Sequence, residues 1–478
     1  VCCIIFKFTN YIYLIMKNIL YSLPLFASAS LFAAIDAGTY TGEIFDKLEL
    51  NLTEQNSTWI FDNVTFTNSA TFQQNTTADV DYKVQLKETS ATLSSFQFNK
   101  NIATATDMTF ELLGSEAKRS SLSGMTGWSV YLDTSTSDTL SASNILKLGG
   151  YSDFTTQNLC IASDYGILGT AGVDISGADN NFNVTGQFYM NRAKATDSNN
   201  HLYFNIKGED GKKSTATFTN NFTVEAAGSG ITEVNMNGNA TMNVGTKFEI
   251  GVTASSGTVN FTMSGENNTL NSTATTNNFG HNFFVGSGAK SGEISFTIGG
   301  KNNTLSVASK NCWIGTEKTD GDAKISFNVI GSGHAINFAG AVNFRQQGLD
   351  TTTLLFKSDD AGISTINVGS IGLFTAALEI DFSDFVGDGS GVYEMVLISA
   401  SSDWASKANR FVGSGTSEIG SGTGDASVQM GDSGLGWEIK YLDNDLIFSY
   451  TYVVPEPSTY AAIFGALAFA FAAYRRRK

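Results

Sequence analysis

Proline is scarce. The 478 residues hold three, Pro24, Pro455 and Pro457, against roughly 24 at ordinary usage of about 5%. That excludes collagen-like chains and proline-rich linkers, and it leaves the whole stretch between Pro24 and Pro455 without one. Charge is sparse too. Charged residues make up 15% of the chain, too few for a coiled coil. With 42% hydrophobic and 12% aromatic residues, the chain is not of the low-hydrophobicity disordered class. Positive charge is the scarcer sign. Setting aside Lys7, Lys17 and the terminal Arg475, Arg476, Arg477 and Lys478 leaves 23 basic residues against 45 acidic ones, a net of −22. Nucleic acid and anionic lipid both need a positive surface, so neither is an expected partner of the middle.

Histidine and cysteine are few as well. Cys2 and Cys3 lie at the very start, leaving Cys160 and Cys312. No C-x-x-C occurs, so a structural zinc site has no support. In a stacked repeat, residues this far apart in sequence sit several turns apart, too far for a disulfide, and two buried free thiols are expected. The three histidines, His201, His281 and His334, form no H-E-x-x-H, and surface or corner positions are expected for them. The Gly-rich stretch 413–424 has no Lys-Ser/Thr partner, which excludes a phosphate loop. Neither a metal nor a cofactor is expected.

The two ends differ from the rest. No Asp or Glu lies in 1–35 or 457–478. Met16-Lys17, the apolar run Ile19 to Ala34 and the small residues Ala27-Ser28-Ala29 have the form of a secretory signal, with Ala33-Ala34 or Ala37 as other cleavage points. Residues 16–37 are therefore expected to be a signal peptide with translation starting at Met16, and 1–15 a stretch where the reading frame begins too early. The alternative is one uncleaved anchor over 1–34.

At the other end, Val453-Val454-Pro455-Glu456-Pro457-Ser458 precedes an apolar run to Tyr474 and then Arg475-Arg476-Arg477-Lys478. Two prolines around a glutamate hold an extended segment that a processing enzyme can grip. Tyr460 to Tyr474 makes a helix of about 22 Å, shorter than the roughly 30 Å hydrocarbon core; Ser458 and Thr459 bring it to a marginal span. The basic run is a stop-transfer signal, and its four charges oppose the alternative of a buried terminal helix. Residues 453–478 resemble the PEP-CTERM sorting signal of Gram-negative bacteria. The resemblance implies that a membrane enzyme, exosortase, recognises Pro455, Glu456 and Pro457, cleaves near them and sends the protein from the inner membrane to the cell surface or outside. It also implies a link to exopolysaccharide and biofilm formation. None of the three residues is catalytic in this reading.

The middle repeats. Val80, Tyr82, Val84 and Leu86 alternate with Asp81, Lys83 and Gln85, the period of half-buried strands. Units beginning at Leu202, Val234, Val259, Ile294 and Ile325 follow at spacings of 32, 25, 35 and 31 residues, and Ser264-Gly265-Glu266-Asn267-Asn268-Thr269-Leu270 echoes Gly299-Gly300-Lys301-Asn302-Asn303-Thr304-Leu305. Such self-similarity predicts a solenoid. The fold class expected is all-β: a right-handed parallel β-helix over 38–369, with inward Phe, Ile, Val and Leu in columns and Asn and Gly at the corners. Proline would delete ladder hydrogen bonds in every turn. At about 25 residues per turn the middle holds roughly 15 rungs, near 70 Å at about 4.8 Å each. A set of β-sandwich domains is the alternative. Residues 370–452 are expected to form a C-terminal β cap, with a short helix within Ser401 to Phe411 and a hairpin Trp437–Tyr441/Leu446–Tyr450 turning through Asp443-Asn444-Asp445. The strand texture loosely resembles the passenger domains of autotransporter-like surface proteins.

Parallel β-helices include polysaccharide lyases and glycoside hydrolases, whose chemistry needs clustered acids. Asp359-Asp360 is the best adjacent pair, and Asp381, Asp384 and Asp388 form a looser set. The bland reading of these is solvated loop residues. Asp320-Gly321-Asp322 and Asp384 to Asp388 have the acids to hold Ca²⁺, but neither matches an EF-hand or the G-G-x-G-x-D repeat. Asn-x-Ser/Thr triplets at Asn51, Asn183, Asn221 and Asn260 follow from the abundance of Asn and Thr. The function expected is a non-enzymatic surface or matrix protein that adheres to or organises exopolysaccharide. Its partners are an exosortase-type enzyme and, before processing, the membrane.

Overall fold

Alternation decides which side chains go inside. In the strand Tyr82–Lys87, Tyr82, Val84 and Leu86 are buried while Lys83, Gln85 and Lys87 face outward. Val84 lies beside Trp59 of the preceding turn and Phe110 of the following one, both pairings parallel. The computed structural model describes residues 35–45, 50, 55–67, 70–73, 81–98, 105–162, 168–191, 199–252, 256–273, 281–319, 321–416, 419–421, 425–454 and 457–476. The expected stretch 1–15 and all but the last residues of the signal segment 16–37 lie outside them. Strand accounts for 60% of the chain and helix for 5%, in a parallel β-solenoid of about ten turns.

Each turn has three faces. In one of them, Glu293–Ile298 belongs to the first face, Thr304–Val307 to the second and Asn311–Gly315 to the third. Each strand pairs in parallel with its counterpart one turn before and after. Between the second and third faces the chain bends gently, and single strands such as Ala335–Arg345 run through both with a register shift. The sandwich alternative is overturned, because sandwich sheets are antiparallel. Partners one turn apart are separated by 21 residues at Gly38–Trp59 and by 36 at Asp107–Ser143. The first face carries 14 strands paired in parallel, from Gly38–Thr41 to Ala426–Met430, about 62 Å of stack at about 4.8 Å per step, against the roughly 15 rungs and 70 Å expected.

The core is a set of aromatic columns. Phe261, Phe296 and Phe327 stack at 4.8 and 5.0 Å with rings within 5° of parallel. On the third face Phe188, Phe222, Phe248 and Phe283 stack at 5.0, 5.5 and 4.8 Å. These distances equal the strand spacing, so each ring repeats in the column the register that the backbone sets. Such pairs add about 0.5–1.5 kcal/mol each beyond their area burial.

The sharp corner between the first and second faces has its own chemistry. Asn267 and Asn302 take left-handed backbone, with φ of 60° and 54°. The next residues, Asn268 and Asn303, turn inward and are fully buried. Gly300, at φ +79°, leaves so little room that a Cβ would sit 2.0 Å from the Gly265 carbonyl oxygen. These are the residues of the sequence echo, so the echo marks a backbone corner.

The stack ends in antiparallel pairing. The first face continues in parallel through Ala377–Phe382 to Ala426–Met430. The strand Gly391–Ala400 pairs in parallel with Ile366–Val368 and antiparallel with Asp445–Tyr452. The expected hairpin is Gly434–Leu442/Asp445–Tyr452. Asp443 and Asn444, both at positive φ, make its two-residue turn, the geometry that matches strand twist. A helix, α1 (Ala405–Ala408), stands where a further third-face strand would go. Lys407 Nζ donates to the Ile371 carbonyl at 2.8 Å and Arg410 Nη1 to that of Phe374 at 2.9 Å, so the open edge is satisfied by side chains rather than left as a template for another strand.

A second helix, α2 (Pro457–Arg475), follows the last strand. Its side chains from Ile463 to Tyr474 are exposed, Phe469 by 83%. No helix among the described residues is long and apolar enough to cross a membrane.

Candidate functional site

The sorting residues read from the sequence sit at the junction of solenoid and α2. Pro455, Glu456, Arg477 and Lys478 lie outside the described residues. Pro457 opens α2, where the missing N–H costs nothing, and Arg475 and Arg476 close it. Before the junction the backbone is tied down: Val453 N–H bonds Ser433 O at 3.0 Å and Val454 N–H bonds Ser390 Oγ at 2.8 Å.

The outward side chains form columns along the rod. On the first face, Lys83 pairs with Glu111 at 2.7 Å and Gln85 donates to the same carboxylate at 2.8 Å. Further along, Asn235 donates to Asn205 and Asn328 to Thr297. Near the N-terminal end this face carries a groove of about 310 Å³, whose lining includes Asn56, Asp81, Tyr82, Lys83, Asp107 and Ser143. Asp81 Oδ2 accepts from Gln55 Nε2 at 2.7 Å, Asp81 Oδ1 from Asp107 N–H at 2.8 Å, and Asp107 Oδ1 from Ser143 N–H at 2.7 Å. Each carboxylate thus holds the start of the next strand. Burial raises the Asp107 carboxyl above the usual range, the Ser143 N–H opposes this, and the neighbouring Asp81 charge adds to it. The buried Tyr82 hydroxyl has no hydrogen-bond partner among the described residues. The sequence alone does not show this pair because the two acids come from different turns; the signal it offers is an Asp at or just before the start of each strand, Asp81-Tyr82 and Asp107-Met108.

The acids chosen from the sequence are engaged elsewhere. Asp359 is a turn anchor: its Oδ2 accepts the N–H and hydroxyl of Ser332, and its Oδ1 accepts the N–H groups of Ala361 and Gly362. Burial alone would raise its carboxyl, but these four donors outweigh it and hold the group below the usual range. Asp360 is exposed. Asp381 and Asp384 share Lys357 Nζ at 3.0 and 3.1 Å, while Asp388 accepts from the Tyr393 hydroxyl at 2.7 Å. The three therefore belong to two separate arrangements. Asp320 lies outside the described residues. Among the described residues, no three His, Cys, Asp or Glu side chains gather as a metal-holding group.

Cys160 and Cys312 are both buried and unbridged. Cys312 points into the core, and burial pushes its thiol up to about 12, with Ser309 opposing. Cys160 faces outward in register between Tyr131 and Tyr189 and is buried all the same. His201 pairs with Glu233 on the surface at 3.0 Å, and His334 sits in the corner ladder. No family model, curated protein or solved structure matches this chain.

Proposed function

We propose that this chain is an exported, non-enzymatic surface or matrix protein that adheres to or organises extracellular polysaccharide, and that an exosortase-type enzyme reads Pro455-Glu456-Pro457 to place it. In this reading 16–37 is the export signal, the solenoid and its β cap are the cargo, and Arg475 to Lys478 hold the tail at the cytoplasmic side. The solenoid is taken as right-handed, the hand that parallel crossovers adopt.

The observation that carries the proposal is the junction. The last strand, Asp445–Tyr452, and the hydrogen-bonded Val453 and Val454 just past it end the folded unit. Within a few residues comes a helix exposing Ile463, Phe464, Leu467, Phe469, Phe471 and Tyr474. A soluble fold rarely leaves so much apolar surface bare, which supports a segment made for a lipid or enzyme environment and then removed. At 19 residues, or about 28 Å, α2 falls short of the roughly 30 Å hydrocarbon core, in keeping with the absence of a membrane-crossing helix among the described residues, and this suits transient membrane engagement better than permanent anchoring. The test is fractionation of cells that carry an exosortase. Pro455→Ala with Pro457→Ala should leave uncleaved protein in the inner membrane; unchanged mass and location would refute the assignment.

A second reading, a polysaccharide-active β-helix enzyme, is favoured by one observation, the groove that joins Asp81 to the raised carboxyl of Asp107. Cleavage of a glycan, lost in Asp107→Asn with the fold intact, would establish it.

A further inference from the structure

We propose that the second face of the solenoid, from Asn181 to Asn367, binds a neutral, hydroxyl-rich polysaccharide laid flat across the turns. This rests on the matrix reading and names its ligand class and its surface.

The observation is an absence of charge where charge is expected. The chain carries −16 overall, and the first face has outward Lys147, Asp174, Glu233, Glu293 and Lys324. On the second face, strands Asn181–Val184, Ser214–Phe218, Ala240–Val244, Thr269–Ser272 and Thr304–Val307 turn only Thr, Asn and Ser outward. Thr215, Thr241, Thr269 and Thr304 stand in strict register, each beside the next. Thr217, Asn243 and Asn271 form a parallel column.

The threonine column is unspent. None of its four hydroxyls bonds to another group among the described residues, whereas Asn271 donates to Asn243 at 2.9 Å. Neighbouring hydroxyls lie about 4.8 Å apart along the stack, and the two columns about 6.7 Å apart. The β-branched side chains have few rotamers, so the array is ordered before anything binds and ordering it costs little. A hydroxyl both donates and accepts, which matches a partner made of hydroxyls. Each contact is weak, but a polymer crossing several turns makes them together. Charge selects the kind of polymer: an uncharged strip on a strongly acidic molecule suits a neutral glycan, while an acidic one meets repulsion from the rest of the surface.

The test is co-sedimentation of the purified full-length chain with insoluble cellulose, chitin and β-1,3-glucan, and binding to alginate as the acidic comparison. The wild type should sediment with at least one neutral glycan and bind alginate less. Thr241→Asp with Thr269→Asp should weaken retention about tenfold, the effect of losing about two hydrogen bonds. Thr241→Val with Thr269→Val, which keeps the strand shape, should weaken it too. Thr262→Asp with Thr297→Asp, the same charge on the first face, should bind as wild type. No retention on any neutral glycan, stronger binding to alginate, or equal loss in the first-face control would overturn the proposal. No exosortase enters this experiment, so its failure leaves the sorting claim standing, and failure of sorting leaves this result readable.

Discussion

The backbone N–H of Asn303 donates to Nδ1 of His334 at 3.2 Å, the bond that Asn268 N–H makes to Asn303 Oδ1 one turn earlier at 2.8 Å. The other ring nitrogen repeats the substitution. Asn268 and Asn303 each donate their amide to the carbonyl four residues back, Ser264 and Gly299, and His334 Nε2 meets the Ile330 carbonyl at 2.9 Å. An imidazole thus occupies an asparagine place in a buried corner ladder, and only its neutral form with the proton on Nε2 fits.

Acid should therefore loosen this corner. Burial lowers the His334 pKa below its usual 6.5, the Ile330 bond and the Asp359 charge opposing. With the folded value depressed, the unfolded chain binds the extra proton first. Stability from this site is full above about pH 6.5 and declines as pH falls toward the folded value. His334→Asn should remove this dependence. Melting temperatures between pH 7.5 and 5 should fall less in the variant than in the wild type, with the gap worth about 1 kcal/mol; parallel curves would refute the isostere reading.

Gly300→Ala should be costly out of proportion to its size. The added Cβ meets the Gly265 carbonyl at 2.0 Å on a backbone of φ +79°, so strain and a displaced corner act together, about 2–4 kcal/mol. Gly42→Ala, also at positive φ but with open space around it, should cost about 1 kcal/mol. Chemical denaturation of both variants measures the difference.

Removing a central ring should disturb its column on both sides. Phe296 stacks on Phe261 and Phe327, and Phe296→Ala should cost about 3–5 kcal/mol. Phe296→Leu should recover much of it, since volume is largely kept. Equal melting temperatures for Ala and Leu would contradict the stacked-core account.

The two thiols should be silent in the folded protein. Cys160 and Cys312 are buried, and a thiol held near 12 has almost no thiolate at neutral pH. Mass spectrometry after iodoacetamide should show both peptides unlabelled when native and labelled when unfolded, with reductant making no difference to mobility.

Much of the architecture was legible because alternation and corner chemistry are local. The repeat aligns Ile294 with Ile325 as the strands pair them. It does not do so for Leu202 and Val234: Val234 lies beside Phe204, and Leu202 beside Thr232. A slip of two residues keeps every side chain on its own face, so the alternation cannot reveal it. The length of each turn is hard to read for a different reason. Third-face strands such as Phe188–Met190 span three residues, too short to show a period, and the connections between faces vary in length. The sequence marks His334 only as a surface or corner residue, because its likeness to asparagine lies in bond geometry. The threonine column was hidden since Thr215, Thr241, Thr269 and Thr304 come from four turns and meet only in the stacked chain.

The account stands most directly on the C-terminus of the exported protein. Intact-mass and peptide analysis of the extracellular or surface fraction, from cells with an exosortase, should find a chain ending near Pro455-Glu456-Pro457, with α2 and Arg475 to Lys478 gone. Extracellular protein that retains an intact Lys478 terminus would contradict it.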